Sequence, residues 1–326
     1  MKNLLTILPL VALCCACSSD IIDAPDKFTI GFSAKVKETR AVADINSLKT
    51  DGFSVWGRYG TTKVFDGRQV TFISPNWVYD DPEVWTLDNE YRFFAVYPIG
   101  SVVNLVENAG EWSYNLNIET SASADTDVLT ALAYKNTGDV NFSPSVNLSF
   151  SHLLTKINLT IAQDTEKNAT DDFSITKVTL SGVRSGGTYT VSPSETADSK
   201  WSTQLEIGSA SMDYVKEFSD PKPLDKDGTA MTVWSDELID GLMLLPQSIG
   251  SQAVKLSIEY IYKIKDSDDS ESRFVEAYLP ASADLWQSGK AITYSIKISE
   301  KNEISFMAPT IESWGSPQVG GTIIIK

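Results

Sequence analysis

Past position 17 the chain contains no cysteine, and a single histidine, His152, serves all 326 residues. Lys and Arg together number 27 against 43 Asp and Glu, and no apolar run beyond the N-terminal stretch is long. Each shortage excludes something. Cysteines crowded at Cys14, Cys15 and Cys17 do not make a disulfide framework, which gains most by closing long loops. A zinc site needs four ligands, and His152 lies far from those thiols. One histidine also leaves little room for a base that titrates near neutral pH. A formal charge of −16 repels phosphate backbones, so no nucleic-acid partner is expected. The run "GLMLLP", residues 241–246, falls short of the ~18 apolar residues that span a bilayer and reads as a buried strand. No nucleophile elbow, phosphate loop, zinc-protease or dinucleotide motif is found. The expectation is therefore no catalytic residue, no cofactor and no metal.

What is there begins with "LVALCCACSSD", residues 10–20. Lys2 supplies a positive charge, Leu4 to Ala16 an apolar stretch, and small Ala16 stands before Cys17. That order reads as a lipoprotein signal over residues 1–16, with Cys17 the lipidated N-terminus of the mature chain. An ordinary secretory signal cleaved nearby is the other reading, and Cys14 and Cys15 leave in both. The mature protein is then expected to be soluble and tied to a membrane only by its lipid.

From Phe28 onward the pattern is strand-like. Phe28, Ile30, Phe32, Ala34 and Val36 alternate with Thr29, Gly31, Ser33, Lys35 and Lys37, the period of a strand with one apolar face. Further short runs follow, among them "GFSVWGRY", "YRFFAVYP", "VKLSIEYIYKI" and "AITYSIKIS", separated by Gly, Pro, Asn, Asp and Ser. One short helix is expected in "ADINSLKTDG", with Asp44 as N-cap and Gly52 past its end. Many strands and little helix predict antiparallel β-sandwiches. The turn-rich "NTGDVNFSPS", residues 136–145, suggests a break, giving an N-terminal domain over 41–142 and a C-terminal domain over 143–326. The acidic "KDSDDSESR", residues 265–273, reads as a solvated hairpin tip, because the ligand spacing of a calcium loop is absent.

Candidate chemistry is thin. His152, within an apolar strand, reads as a structural residue satisfied by a local hydrogen bond. Paired carboxylates could make a glycosidase, yet the sequence singles out no pair. Trp56, Trp77, Trp85 and Trp112 could line a sugar platform, although strand aromatics more often fill cores.

Arg40, in "VKETRAVAD" at residues 36–44, follows the first strand and is flanked by Thr39 and small Ala41. A trypsin-like protease needs such an accessible arginine, and a plain surface loop is the alternative. Here the chain resembles the fimbrillin family, lipoprotein precursors of type V pili in anaerobic Gram-negative bacteria. The fragments that carry the resemblance are "CSSD" at Cys17, "TRA" at Thr39–Ala41, "YRFFAVYP" at 91–98 and "DVLTA" at 127–131. They continue with "LSFSHLLTKINLTI" at 148–161, "LMLLPQ" at 242–247, "WQSGKAITYSIKI" at 286–298 and "IESWG" at 311–315.

The resemblance implies two transthyretin-like β-sandwich domains in tandem and a pathway of maturation. Lipidation at Cys17 would carry the precursor to the outer membrane. An arginine-specific protease would cut between Arg40 and Ala41, removing residues 17–40 with their first strand. The groove left by Phe28, Ile30, Phe32, Ala34 and Val36 would accept a strand from another pilin subunit, so the protein would end in an extracellular fimbrium that supports adhesion to host or bacterial surfaces. Burying those side chains amounts to about 8–12 kcal/mol of apolar contact. The candidate donor is the β-branched terminus Ile323, Ile324 and Ile325, with Ile304–Trp314 as the other choice. The competing reading is a surface-exposed outer-membrane lipoprotein that holds glycans without polymerising.

Overall fold

A computed structural model of the chain describes residues 28–37, 43–168, 171–235, 241–250, 253–280, 286–299 and 301–313. In chain order it runs β1 (Gly31–Val36), helix α1 (Ile45–Asp51), β2 (Phe53–Tyr59), β3 (Thr62–Ile73), β4 (Asn76–Val78), β5 (Glu90–Tyr97), β6 (Val103–Asn108), β7 (Glu111–Glu119), β8 (Leu129–Asn136) and β9 (Ser145–His152). It continues with β10 (Thr155–Gln163), a short helix α2 (Thr165–Asn168), β11 (Asp172–Arg184), β12 (Gly186–Pro193), β13 (Trp201–Ile207), β14 (Ser211–Pro223), β15 (Met231–Thr232) and β16 (Leu242–Leu244). The last elements are β17 (Lys255–Lys263), β18 (Ser270–Tyr278), β19 (Lys290–Ile298), β20 (Ile304–Phe306) and β21 (Thr310–Ser313). The architecture is all-β, as the alternating patterns predict.

A seven-stranded sheet in the order β1-β9-β8-β5-β2-β3-β4 organises the first half. Its central strands β2 and β5 are buried on both faces, which is why "FSVWGRY" and "YRFFAVY" read as nearly continuous apolar runs. Phe93 and Ala95 enter one core with Phe53, Val55 and Phe65, while Phe94 and Val96 enter a second with Trp56. The second core is closed by a four-stranded sheet, β13-β12-β7-β6. The other half is a sandwich: the sheet carrying β10 and β19 packs against β14-β11-β17-β18 around Leu159, Val178, Ile258 and Tyr294.

Strand pairing crosses the break expected at 142/143. β9 hydrogen-bonds β1 and β8, so residues 145–152 belong to the first sheet. β12 and β13, from the second half, extend the sheet of β7. The two halves meet on β16, where Leu242 and Leu244 enter the sandwich core while Met243 and Leu245 enter the core behind β2 and β5. Alternation along "LMLL" thus joins the two. Pairing is also not wholly antiparallel: β1 runs parallel to β9, and β10 parallel to β19. Parallel neighbours need long crossovers, and more than a hundred residues separate each pair, a distance over which local pattern carries no information about direction.

The helix forms where expected. The Asp44 carboxylate accepts the N–H groups of Asn46 and Ser47 at 2.7 and 3.0 Å, and Ser47 Oγ accepts the Asp44 N–H at 3.2 Å. This is a capping box. Gly52 ends the helix at φ +80°, where a Cβ would meet the Val70 carbonyl at 2.5 Å. Leu48 points into the core shared with Phe32.

Candidate functional site at the first strand

β1 lies at one end of the seven-stranded sheet, and among the described residues its ladder pairs it with β9 alone, from Gly31 opposite Ser145 to Val36 opposite Phe150. An edge strand can leave by breaking one ladder, and leaving exposes another edge. Ile30 is 0% exposed, Phe32 7% and Val36 9%, whereas Ala34 is half-buried. Phe28 departs from the expected face: it precedes β1 and is 50% exposed. The alternation of the sequence runs on past the point where the chain emerges from the sheet. Three large buried side chains, at ~1.5–3 kcal/mol each, reduce the expected contact energy to about 5–9 kcal/mol.

Phe32 is the centre of the slot. Its ring meets those of Phe65, Tyr79, Phe93 and Phe53 at centroid distances of 5.4, 5.6, 6.1 and 6.4 Å, mostly edge to face, the geometry that aromatic quadrupoles favour. The sheet curls so that β4 returns beside β1, and the segment after β4 ties the start of the strand. Tyr79 Oη donates to the Ile30 carbonyl at 2.7 Å, Ile30 N–H donates to Glu83 O at 2.8 Å, and Trp85 N–H donates to Phe28 O at 2.8 Å. Lys37 N–H reaches Phe150 O at 2.9 Å. Cys17, Arg40 and Ala41 lie outside the described residues. Arg40 falls between the last described residue after β1, Lys37, and the segment that caps α1.

At the opposite terminus β20 and β21 line the outer side of β19, antiparallel to it. Ile304, Phe306 and Ile311 are only partly buried against the sandwich core. Ile323, Ile324 and Ile325 lie outside the described residues.

His152 is buried, and its Nδ1 sits 2.7 Å from Asp127 Oδ2. The sequence pattern gave no sign of this partner, twenty-five residues upstream. Trp56 and Trp85 are core residues at 7% and 5% exposure; Trp77 and Trp112 are half-buried. The acidic 264–269 segment joins β17 to β18, its residues mostly exposed. No group of His, Cys, Asp and Glu among the described residues is placed to hold a metal ion.

These features define an all-β protein whose first strand is an edge strand seated in an aromatic slot. The fimbrillin-like family model matches residues 39–314, and the chain belongs to that family. Membership supports a pilus-subunit or adhesin role at the cell surface. A fimbrial protein from Bacteroides vulgatus is similar in fold, with a TM-score of 0.63 at 17% identity over 88% of this chain and 99% of its own. A candidate cell adhesion protein from Parabacteroides distasonis gives a TM-score of 0.50 at 10% identity, covering 89% and 99%. No curated protein matches the sequence.

Proposed function

We propose that this protein is a stalk or tip subunit of a surface fimbria, made as a lipoprotein precursor and assembled by strand replacement. Cys17 carries the lipid that holds the precursor at the outer membrane. An arginine-specific protease cuts between Arg40 and Ala41, and the segment bearing β1 departs. A strand from another pilin subunit then takes its place beside β9, by main-chain pairing and by filling the pockets of Ile30, Phe32 and Val36. The observation that supports this reading is the position of β1: an edge strand, held by one ladder, with Phe32 among four aromatic rings. The donor is the terminal run Ile323–Ile325 or the Ile304–Trp314 stretch, in which Ile304, Phe306 and Ile311 are only partly buried.

Arg40→Ala tests it. The variant precursor stays lipidated on the cell and forms no polymer, whereas wild type gives a ladder on a denaturing gel without boiling. N-terminal mass spectrometry of wild-type fimbriae should begin at Ala41. A wild-type ladder from Arg40→Ala removes the cleavage step.

A further inference from the structure

Arg58 and Arg92 stand directly opposite each other on β2 and β5. Like charges in that register repel, and here they meet in a chain where basic residues are the minority. Both are almost fully buried, at 1% and 8% exposure. Their neighbours on the same face, Trp56 and Phe94, show what packing alone selects at such positions. A rule of sheet packing broken twice in one place marks a functional site rather than a structural one.

The two arginines line a cleft of about 610 Å³ between the seven-stranded sheet and the sheet of β7 and β12, together with Trp112, Thr190, Ser192 and Glu195. Arg58 spends Nη2 on the Thr61 carbonyl at 3.0 Å and on Glu107 Oε1 at 2.8 Å. Its Nε and Nη1 are buried with no acceptor among the described residues. The Trp112 ring lies 4.7 Å from its guanidinium carbon. Arg92 is held by Glu195, by Glu90 at 3.7 Å and by the Lys200 carbonyl at 3.3 Å. The carboxylates that offset the two charges are outer ones: Glu107 is 55% and Glu195 69% exposed. They can swing into water, but the arginines cannot.

We propose that this cleft binds a sugar bearing a carboxylate. The ligand carboxylate displaces Glu195 from the Arg92 guanidinium, whose fork matches a carboxylate in shape and charge, while the buried Arg58 adds its positive charge from beneath the Trp112 indole. The pyranose ring lies against the indole of Trp112, with Thr190 and Ser192 in the wall of the cleft. The volume suits one or two rings. An acidic peptide fits less well. Extended peptides add to free sheet edges, whereas β2, β5, β7 and β12 are all interior strands of their sheets. The site shares no residue with the slot of β1, so the uncut precursor binds the sugar as well as an assembled subunit does.

The test titrates the full precursor with oligogalacturonate and with sialyllactose, read by tryptophan fluorescence and calorimetry, with neutral lactose and an oligoglutamate peptide as comparisons. At least one acidic sugar should bind, and lactose should bind about tenfold more weakly or not at all. Arg92→Gln should lose about tenfold in affinity. Glu195→Gln removes the competing carboxylate from an exposed position without touching the core, and should tighten binding several-fold. Arg58→Gln is informative where its circular dichroism matches wild type; otherwise Glu195→Gln decides. Absence of binding by both acidic sugars overturns the proposal, as does an affinity that Glu195→Gln leaves unchanged. Stronger, Arg92-dependent binding of the peptide overturns it in favour of a protein ligand. Failure of Arg40→Ala to block polymers bears only on assembly.

Discussion

The hydroxyl of Tyr79 donates to the carbonyl of Ile30 at 2.7 Å and accepts the Glu83 N–H at 3.2 Å. Burial pushes the phenol above its usual pKa of 10, so the donor stays protonated across the physiological range. Ile30 N–H in turn reaches Glu83 O at 2.8 Å. The start of the first strand is therefore clamped to the segment after β4, although its ladder runs along β9. Tyr79→Phe keeps the ring among Phe32 and Phe65 and the backbone bonds to Glu83 and Trp85, but removes both hydrogen bonds of the hydroxyl. We expect a loss of about 1 kcal/mol in global stability and faster amide exchange over residues 28–37 than elsewhere in the first sheet. Exchange mass spectrometry checks it, and wild-type protection of that peptide would show that the hydroxyl adds nothing to the backbone bonds.

Phe32 offers a sharper test of the strand as a removable filler. Phe32→Ala deletes a ring that touches four others, a change that typically costs about 3–5 kcal/mol. In the precursor that loss should appear in full in urea unfolding. The proposed cleavage at Arg40 would remove the residue, so mature wild-type and variant-derived subunits should unfold and polymerise alike. Different behaviour of the two mature chains would mean that the first strand stays bound after cutting.

Much of this fold is legible in local pattern. Asp44 and Gly52 announce the helix because caps are local chemistry, and alternation from Ile30 to Val36 announces β1 because one face is buried. Partners are not legible. Ser145–His152 reads as a strand whichever sheet it joins, so the turn-rich stretch before it resembles a domain break while β9 in fact pairs back to β1 and β8. Phe28 shows the same limit at a strand end, where the period continues but the sheet does not. Arg58 and Arg92 are thirty-four residues apart, and only the register of β2 and β5 places them opposite. Their one trace in the sequence is a charge inside an apolar run, in "VWGRY" and "YRFF".

The cap of α1 gives a pH-dependent prediction. Burial alone would raise the Asp44 pKa, but hydrogen bonds from Ser47 and Asn46 outweigh it and hold the carboxyl below its usual 3.8. A depressed folded pKa means the cap stabilises fully above the unfolded value, and that contribution is lost as pH falls through the folded value. Asp44→Ala should cost about 0.5–2 kcal/mol at pH 7. The gap between wild type and variant should close once the pH is below both pKa values. Paired denaturation curves at neutral and strongly acidic pH check this, and a gap that persists in acid would place the effect in something other than the carboxylate.

His152 and Asp127 make the strongest prediction about the floor of the slot. β9 is the only ladder partner of β1 among the described residues, yet β9 joins β8 through just Leu129–His152 and Thr130–Ser151. At that narrow junction His152 Nδ1 meets Asp127 Oδ2 at 2.7 Å, with both side chains 1% exposed. The pair thus holds the strand against which β1, or any replacement for it, must lie. His152→Ala strands a buried carboxylate and should cost about 3–5 kcal/mol. Asp127→Asn keeps an acceptor for the ring and should cost nearer 1 kcal/mol. In polymerisation assays His152→Ala should slow subunit joining more than its loss of global stability explains, because the acceptor edge itself is loosened. Equal losses from the two variants, with β9 amides protected as in wild type, would assign the pair to general packing and leave the edge of β9 to hold itself.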